Sequence, residues 1–212
     1  DLDHLVAAQL EERLTWDTAD RDTYLRVIEY YRRGKRLKDV RRLLEQAAGR
    51  WPKDMQVLGA ALDQALDAGS FKKAAALARD MLAQDPINTG VRQRLVDAHL
   101  AHARKQVIKG RLDLARKELA VAGEWARGGH ARDQIDLTSG LIVLSEDPET
   151  GAPFLRDLVE RLGGGLVGRL ALALAGEALR LPPQKLFKRV GFGRPVPPGR
   201  DDLLATLNRM RT

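Results

Sequence analysis

The stretch Asp67 to Asn88 reads DAGSFKKAAALARDMLAQDPIN, and its punctuation decides the fold. Gly69 supplies a turn, Phe71 follows two residues later, small residues stand at Ala74 and Ala78, and Asp85-Pro86 closes the run. Apolar residues recur at three- and four-residue steps along Ala74 to Leu82, as they do along Ala60 to Leu66. That spacing stacks side chains on one side of a helix. Pro52 precedes Pro86 by 34 residues, and the residues before each proline repeat one pattern of bulky and small apolar positions. A period of that length holding two helices signals an array of helical hairpins. One hairpin cannot bury both of its apolar faces, so neighbours stack and share a continuous strip of core.

Two more copies fit the period. A unit starting at Arg21 places Tyr24, Val27, Ile28 and Tyr31 on its first helix and Leu37, Val40, Leu44 and Ala47 on its second, with its turn glycine, Gly34, one place early. A unit starting at Thr89 places Leu95, Val96 and His99 on its first helix, and its turn glycine, Gly110, arrives seven residues late. Leu112, Ala115, Leu119 and Ala122 fit the second helix once shifted by the same seven. Seven residues is close to two turns of about 3.6 residues each, so a lengthened first helix keeps its apolar face in phase. Over Arg21 to about Arg127, roughly half the chain, these residues resemble the tetratricopeptide (TPR) repeat. The resemblance implies an all-α, right-handed solenoid of antiparallel helical hairpins, with repeats at 21–54, 55–88 and 89–128.

The flanks extend the helical reading. Residues 1–20 hold one amphipathic helix, Leu2 to Leu14, ahead of Trp16 and the cap candidates Asp17, Thr18 and Asp20. It reads as the second helix of an earlier hairpin, and with Asp1 in place of a methionine the chain reads as a piece of a longer protein. Residues 129–165 read as a fourth, degenerate hairpin. Gly128-Gly129 breaks the chain before a helix over Asp133 to Ser145, EDPETGAP at 146–153 makes a turn, and Pro153 suits the first turn of a helix that runs to Leu162. Gly163 to Gly165 stops it. Residues 166–212 form the C-terminal capping region. Leu166 to Leu181 is apolar nearly all round and calls for cover on most sides. A short helix over Gln184 to Val190, an extended connector GFGRPVPPGR at 191–200, and a last helix from Asp201 or Asp202 to Met210 follow.

With 31% charged and 44% hydrophobic residues in 212, the composition is that of an ordinary folded domain. No apolar run reaches the roughly 20 residues a membrane span needs. The nearest, Leu166 to Leu181, is interrupted by Arg169 and Glu177. There is no cysteine, which excludes disulfides and thiolate metal sites. Arginine exceeds lysine, with alanine and leucine abundant, a bias that points to a GC-rich bacterial genome. The net charge of +7 is unevenly spread. Residues 129–165 carry three basic and seven acidic side chains, and 166–212 carry nine basic and three acidic. Basic residues gather at the turns inside the hairpins, at Arg32, Lys35 and Arg36, at Lys72 and Lys73, and at Lys105, Lys109 and Arg111, and again in the tail at Lys185, Lys188 and Arg189. The leading reading of this edge is a solvated rim. Nucleic acid or another acidic partner comes second, since no aromatic residue interleaves the basic ones as single-stranded ligands require.

The residues offer little chemistry. His99 and His102 share a helix face without an evident third ligand, so they read as structural. None of Ser70, Ser139 and Ser145 sits in a nucleophile elbow, and Gly163-Gly164-Gly165 lacks the lysine and hydroxyl of a phosphate loop. Glu11-Glu12, Glu146-Asp147 and Asp201-Asp202 read as surface or capping residues. No catalytic residue, cofactor or metal is assigned. The resemblance instead implies a groove lined by first-helix residues: Arg26, Glu29 and Arg33 with Leu25 and Arg32, then Asp63 and Asp67 with Gly59 and Ala60, then Gln93, Arg94 and Asp97 with Leu100. TPR proteins that grip a C-terminal carboxylate use basic residues and asparagines where this chain has Leu25, Glu29, Ala60 and Gly90, and only Arg94 agrees. A carboxylate clamp is therefore rejected. The expected function is a non-enzymatic scaffold, working in the cytoplasm or else the periplasm, that binds a peptide or helix of another protein or assembles with copies of itself. The alternatives are nucleic-acid or acidic-partner binding, and a regulatory segment of a longer enzyme.

Overall fold

The structure, a computed structural model, describes residues 2–17 and 20–192. Thr18, the connector beyond Phe192 and the last helix expected up to Met210 lie outside the described residues. Among the described residues the protein is all-α, with 11 helices and no strand. They are α1 (Leu2–Trp16), α2 (Arg21–Arg33), α3 (Leu37–Arg50), α4 (Met55–Asp67), α5 (Phe71–Gln84), α6 (Thr89–Ile108), α7 (Leu112–Trp125), α8 (Gly129–Glu146), α9 (Pro148–Arg161), α10 (Gly165–Ala178) and α11 (Pro183–Val190). The chain divides into two compact units, Asp1–Ala98 and His99–Thr212. None of the helices is long and apolar enough to cross a membrane.

In the first unit each helix packs on its sequence neighbour from α1 to α5, and α2 also touches α4. Tyr24, Val27 and Ile28 of α2 meet Val40, Leu43 and Ala47 of α3 in one buried cluster. Tyr24 turns its ring edge to Trp51, 5.6 Å between centroids. Aspartates start the first helices. The Asp20 carboxylate accepts from the Thr23 backbone N–H at 3.0 Å, and that of Asp54 accepts from those of Gln56 and Val57 at 2.9 and 3.0 Å. These carboxylates satisfy donors that the first turn leaves without helical partners.

One turn design recurs along the chain. A residue with left-handed backbone follows the helix, and the next N–H reaches back five residues, as in a Schellman closure. Arg36 N–H donates to the Tyr31 carbonyl and Ser70 N–H to that of Ala65, both at 2.8 Å. Arg111 N–H donates to Gln106 and Leu181 N–H to Gly176, both at 2.9 Å. The left-handed residues are Lys35 (φ 55°), Gly69 (63°), Gly110 (70°) and Arg180 (61°). Gly34 itself has φ −74°, so the glycine that sits one place early leaves a lysine to carry the strained conformation. Lys35 and Gly69 stand 34 residues apart, and Gly110 follows Gly69 after 41. The excess matches the helices, since α6 has 20 residues where α2 and α4 have 13.

In the second unit α8 and α9 form the tightest pair, α10 rests on both, and α11 closes against α9 and α10. Close approach depends on glycine. A Cβ on Gly151 would lie 2.3 Å from the Leu144 Cα, and one on Gly168 would lie 2.2 Å from the Val159 carbonyl oxygen. Leu137, Leu155, Leu172 and Phe187 fill the core between these helices.

Three expectations for this region are corrected. Residues 146–153 are not a turn: α9 begins at Pro148, and Pro153 lies inside the helix. The Asp147 carboxylate accepts from the N–H groups of Glu149 and Thr150 at 3.0 and 3.3 Å, so the reversal takes one residue. Helix α8 starts at Gly129, four residues ahead of Asp133. Helix α10 ends at Ala178 instead of Leu181, because the turn through Arg180 interrupts it, and it is not covered all round. Leu166, Val167 and Leu174 remain 41–43% exposed.

Candidate functional site

The groove residues expected on α2, α4 and α6 all fall within the first unit, apart from Leu100. The structure brings most of the charged ones into a single ion-pair network. Arg33 Nε lies 3.0 Å from Glu29 Oε1, and Glu29 Oε2 lies 3.3 Å from Arg32 Nη1. Arg32 continues across to α4, with Nε 2.8 Å from Asp67 Oδ2 and Nη1 3.4 Å from Asp63 Oδ2. The other oxygen of Asp63 meets Arg94 Nη1 of α6 at 3.0 Å. Burial works against the charge on Arg32, but the hydrogen bond it donates to Asp67 and the charges of Asp67, Asp63 and Glu29 outweigh it and raise its pKa above the usual arginine value. Gln93 Nε2 donates to Asp97 Oδ1 at 2.9 Å. Arg26, Gln93, Arg94 and Asp97 are exposed, whereas Leu100 is buried, so that position does not line a surface.

The linked residues stand about one repeat apart. Arg32 reaches 31 and 35 residues ahead, and Arg94 reaches 31 residues back. Arg21 joins the set, with Nη1 2.8 Å from Asp54, the cap of α4. Burial of Asp54 is outweighed by the Val57 N–H, Arg21 and the Gln56 N–H, which hold its carboxyl below the usual range. The carboxyls of Asp20 and Asp147 are also lowered, by the Thr23 and Thr150 side chains first and then by the N–H groups of the same residues.

The basic edge is less open than its sequence suggests. Arg32 and Arg33 point into the network just described, while Arg36 pairs with Asp39 at 2.8 Å and lies over the Tyr31 ring, 4.5 Å from its centroid. Arg189 donates to the Leu144 carbonyl at 2.7 Å, near the end of α8. Lys35, Lys72, Lys73, Lys105, Lys109, Arg111, Lys185 and Lys188 are exposed.

Two polar clusters were not legible from spacing. His99 Nδ1 lies 2.7 Å from Glu118 Oε2, and His102 Nδ1 lies 3.0 Å from Glu118 Oε1. Gln106 closes this set on the far nitrogen of His102 at 2.7 Å. No group of three or more candidate ligands could hold a metal among the described residues. In the first unit, Glu11 accepts from the Tyr31 hydroxyl and from Arg42. Burial, followed by the hydrogen bond to Glu11 and its charge, pushes the Tyr31 phenol up to about 12. Glu11 is therefore a packing residue, and only its position opposite Tyr31 and Arg42 in the fold reveals it.

No protein-family model matches the chain, and a comparison with curated proteins finds no match.

Proposed function

We propose that the chain is a right-handed array of TPR-like hairpins that holds an extended peptide or helix of another protein along its first helices, without catalysing a reaction. The observation that carries this reading is the network through Arg32, Asp63 and Arg94. Its links, spaced by about one period, tie α2, α4 and α6 into one polar surface. A stacked array is the arrangement in which such links arise, because equivalent positions of neighbouring repeats become neighbours in space. The surface alternates in sign, which suits a partner that matches it charge for charge and gains specificity and on-rate from the match. The three arginines of the α2–α3 turn, Arg32, Arg33 and Arg36, are paired within the chain and Arg189 of α11 bonds a backbone carbonyl, which favours this reading over nucleic-acid binding along the basic edge.

The test is a peptide array or pull-down with Arg26→Glu and Asp97→Lys, two exposed positions outside the Asp63 bridge, beside Lys72→Glu on the turn edge. Loss of partners from the first two and retention by the third is the expected result. Retention of every partner by Arg26→Glu and Asp97→Lys, with losses confined to Lys72→Glu, would sink the groove in favour of the edge.

A further inference from the structure

The first unit holds a cavity of about 130 Å³ between α3, α4 and α5. Its walls are apolar, with Leu44 of α3, Trp51 of the turn that follows, Val57, Leu58 and Ala61 of α4, and Leu77 of α5. One polar side chain interrupts them. Gln64 follows Val57 by seven residues and Ala61 by three, which puts it on the same face of α4. The residue is only 7% exposed. Its backbone carbonyl accepts from the Ala68 N–H at 3.0 Å, but no described residue pairs with its side-chain amide. Neither amide atom is sealed into the packing, so the cavity is the space that they face. A buried amide without a partner costs free energy, and a guest that supplies one recovers the cost. The geometry points to a binding site for a single aromatic ring carrying one hydroxyl, the chemistry of phenol and of a tyrosine side chain.

Size and polarity both select this guest. An apolar cavity of about 150 Å³ holds one benzene, so the space here matches one six-membered ring. Water is a poor occupant. Each buried water needs about two to four polar partners, whereas one amide here serves room for about four waters at about 30 Å³ each. A phenol hydroxyl donates to the amide oxygen or accepts from the amide nitrogen, which gives Gln64 its missing partner, while the ring lies against the leucines and the Trp51 indole. Charge does not select, because Arg41, Glu45 and Lys73 frame the cavity with both signs. The cavity is completed by the second helices α3 and α5 and shares no residue with the groove, so the two proposals stand or fall separately.

The test is ligand-observed NMR on the full chain, with phenol and toluene as probes of the parent and of Gln64→Met. The parent is expected to bind phenol with a Kd on the order of 1 mM. Methionine copies the length of glutamine without its amide. Loss of one hydrogen bond should weaken phenol about five- to tenfold in Gln64→Met, while toluene binds as well as before or better. Because the amide lacks a partner, the variant is also expected to melt no lower than the parent. N-acetyltyrosine amide separates the two sources of a phenol ring. Its binding within a few fold of phenol assigns the site to a tyrosine presented by a chain, and phenol binding without it assigns the site to a free phenol. Absence of saturable phenol binding up to about 10 mM, tenfold above the expected Kd, overturns the proposal. So does a phenol-to-toluene ratio unchanged by Gln64→Met. A Gln64→Met protein that melts well below the parent overturns it too, since the amide would then already be satisfied in the packing.

Discussion

Gly151→Ala is the sharpest single perturbation of this fold. The added Cβ would lie 2.3 Å from the Leu144 Cα and 2.4 Å from the Leu144 nitrogen. Non-bonded carbons rest about 3.5 to 4.0 Å apart, so α9 must withdraw from α8 by roughly 1 Å. No rotamer change relieves the contact, because the obstacle is backbone. Behind it lie Leu144, Leu155 and Leu158, each 2% exposed or less, whose packing loosens with the withdrawal. Overpacking costs about 1–3 kcal/mol, and a backbone clash belongs at the upper end. Alanine recovers close to 1 kcal/mol of helix propensity, leaving a net loss of about 2 kcal/mol. At about 2–4 °C per kcal/mol for a chain of this size, the melting temperature falls by roughly 4–8 °C. The control is Gly49→Ala in α3, where nothing lies within 4 Å of the new Cβ. There the propensity gain stands alone, and the expected change is about 0.5–1 kcal/mol of added stability. Thermal melts of both full-length variants by circular dichroism decide the matter. A Gly151→Ala protein that melts at or above the parent, or a Gly49→Ala protein that loses as much as Gly151→Ala, refutes the close α8–α9 crossing.

Other outcomes follow from the same geometry. Left-handed backbone costs an ordinary residue about 1–2 kcal/mol, and glycine returns part of that as unfolded-chain entropy, so Lys35→Gly is expected to add about 0.5–1 kcal/mol in urea unfolding. Gly69→Lys, the equivalent position one repeat later, should lose a similar amount. Asp63→Asn cuts links to both Arg32 and Arg94 and should cost about 0.5–1 kcal/mol at low salt, a loss that shrinks in about 1 M salt as exposed charges are screened. Asp54→Ala removes a helix cap, for a loss of about 1 kcal/mol near pH 7. The Asp54 carboxyl titrates lower in the fold than its ordinary 3.8, so its stabilisation is complete above the unfolded value and is lost as pH falls through the folded one. The stability gap between Asp54→Asn and the parent should therefore narrow below about pH 4, as followed by urea unfolding at several pH values.

Local rules made most of the helices legible, and tertiary contacts decided where those rules failed. The 34-residue spacing of Pro52 and Pro86 is enough to place α2 through α5, since each helix has a single apolar stripe and a turn residue at its end. It could not say which residue takes the left-handed turn position after α2, because Gly34 and Lys35 are adjacent and the return bond from Arg36 to Tyr31 fixes the choice. Pro148 and Pro153 both satisfy the preference for proline early in a helix. The Asp147 carboxylate breaks the tie through its bonds to Glu149 and Thr150, and the short distance from Gly151 to Leu144 requires the early start. The groove positions on α2, α4 and α6 follow from the period. Their pairing does not, because it depends on how far an arginine side chain reaches from one helix to the next.

The lengthened α6 shows the two levels acting on one element. Seven added residues turn a helix by two full turns less about 20°, so the apolar stripe of α6 stays in phase along its whole length. Phase alone does not cover the polar residues that the lengthened helix carries. His99, His102 and Gln106 lie at three- and four-residue steps on one face, and His99 and Gln106 are buried. A buried polar group without a hydrogen bond is costly, so this face needs a polar partner from the helix beside it. Glu118 of α7 provides it, one oxygen to each imidazole, from the residue just before the core position Leu119. The lengthened helix and the carboxylate belong together: Glu118 meets His99 and His102, and Gln106 joins the set through His102.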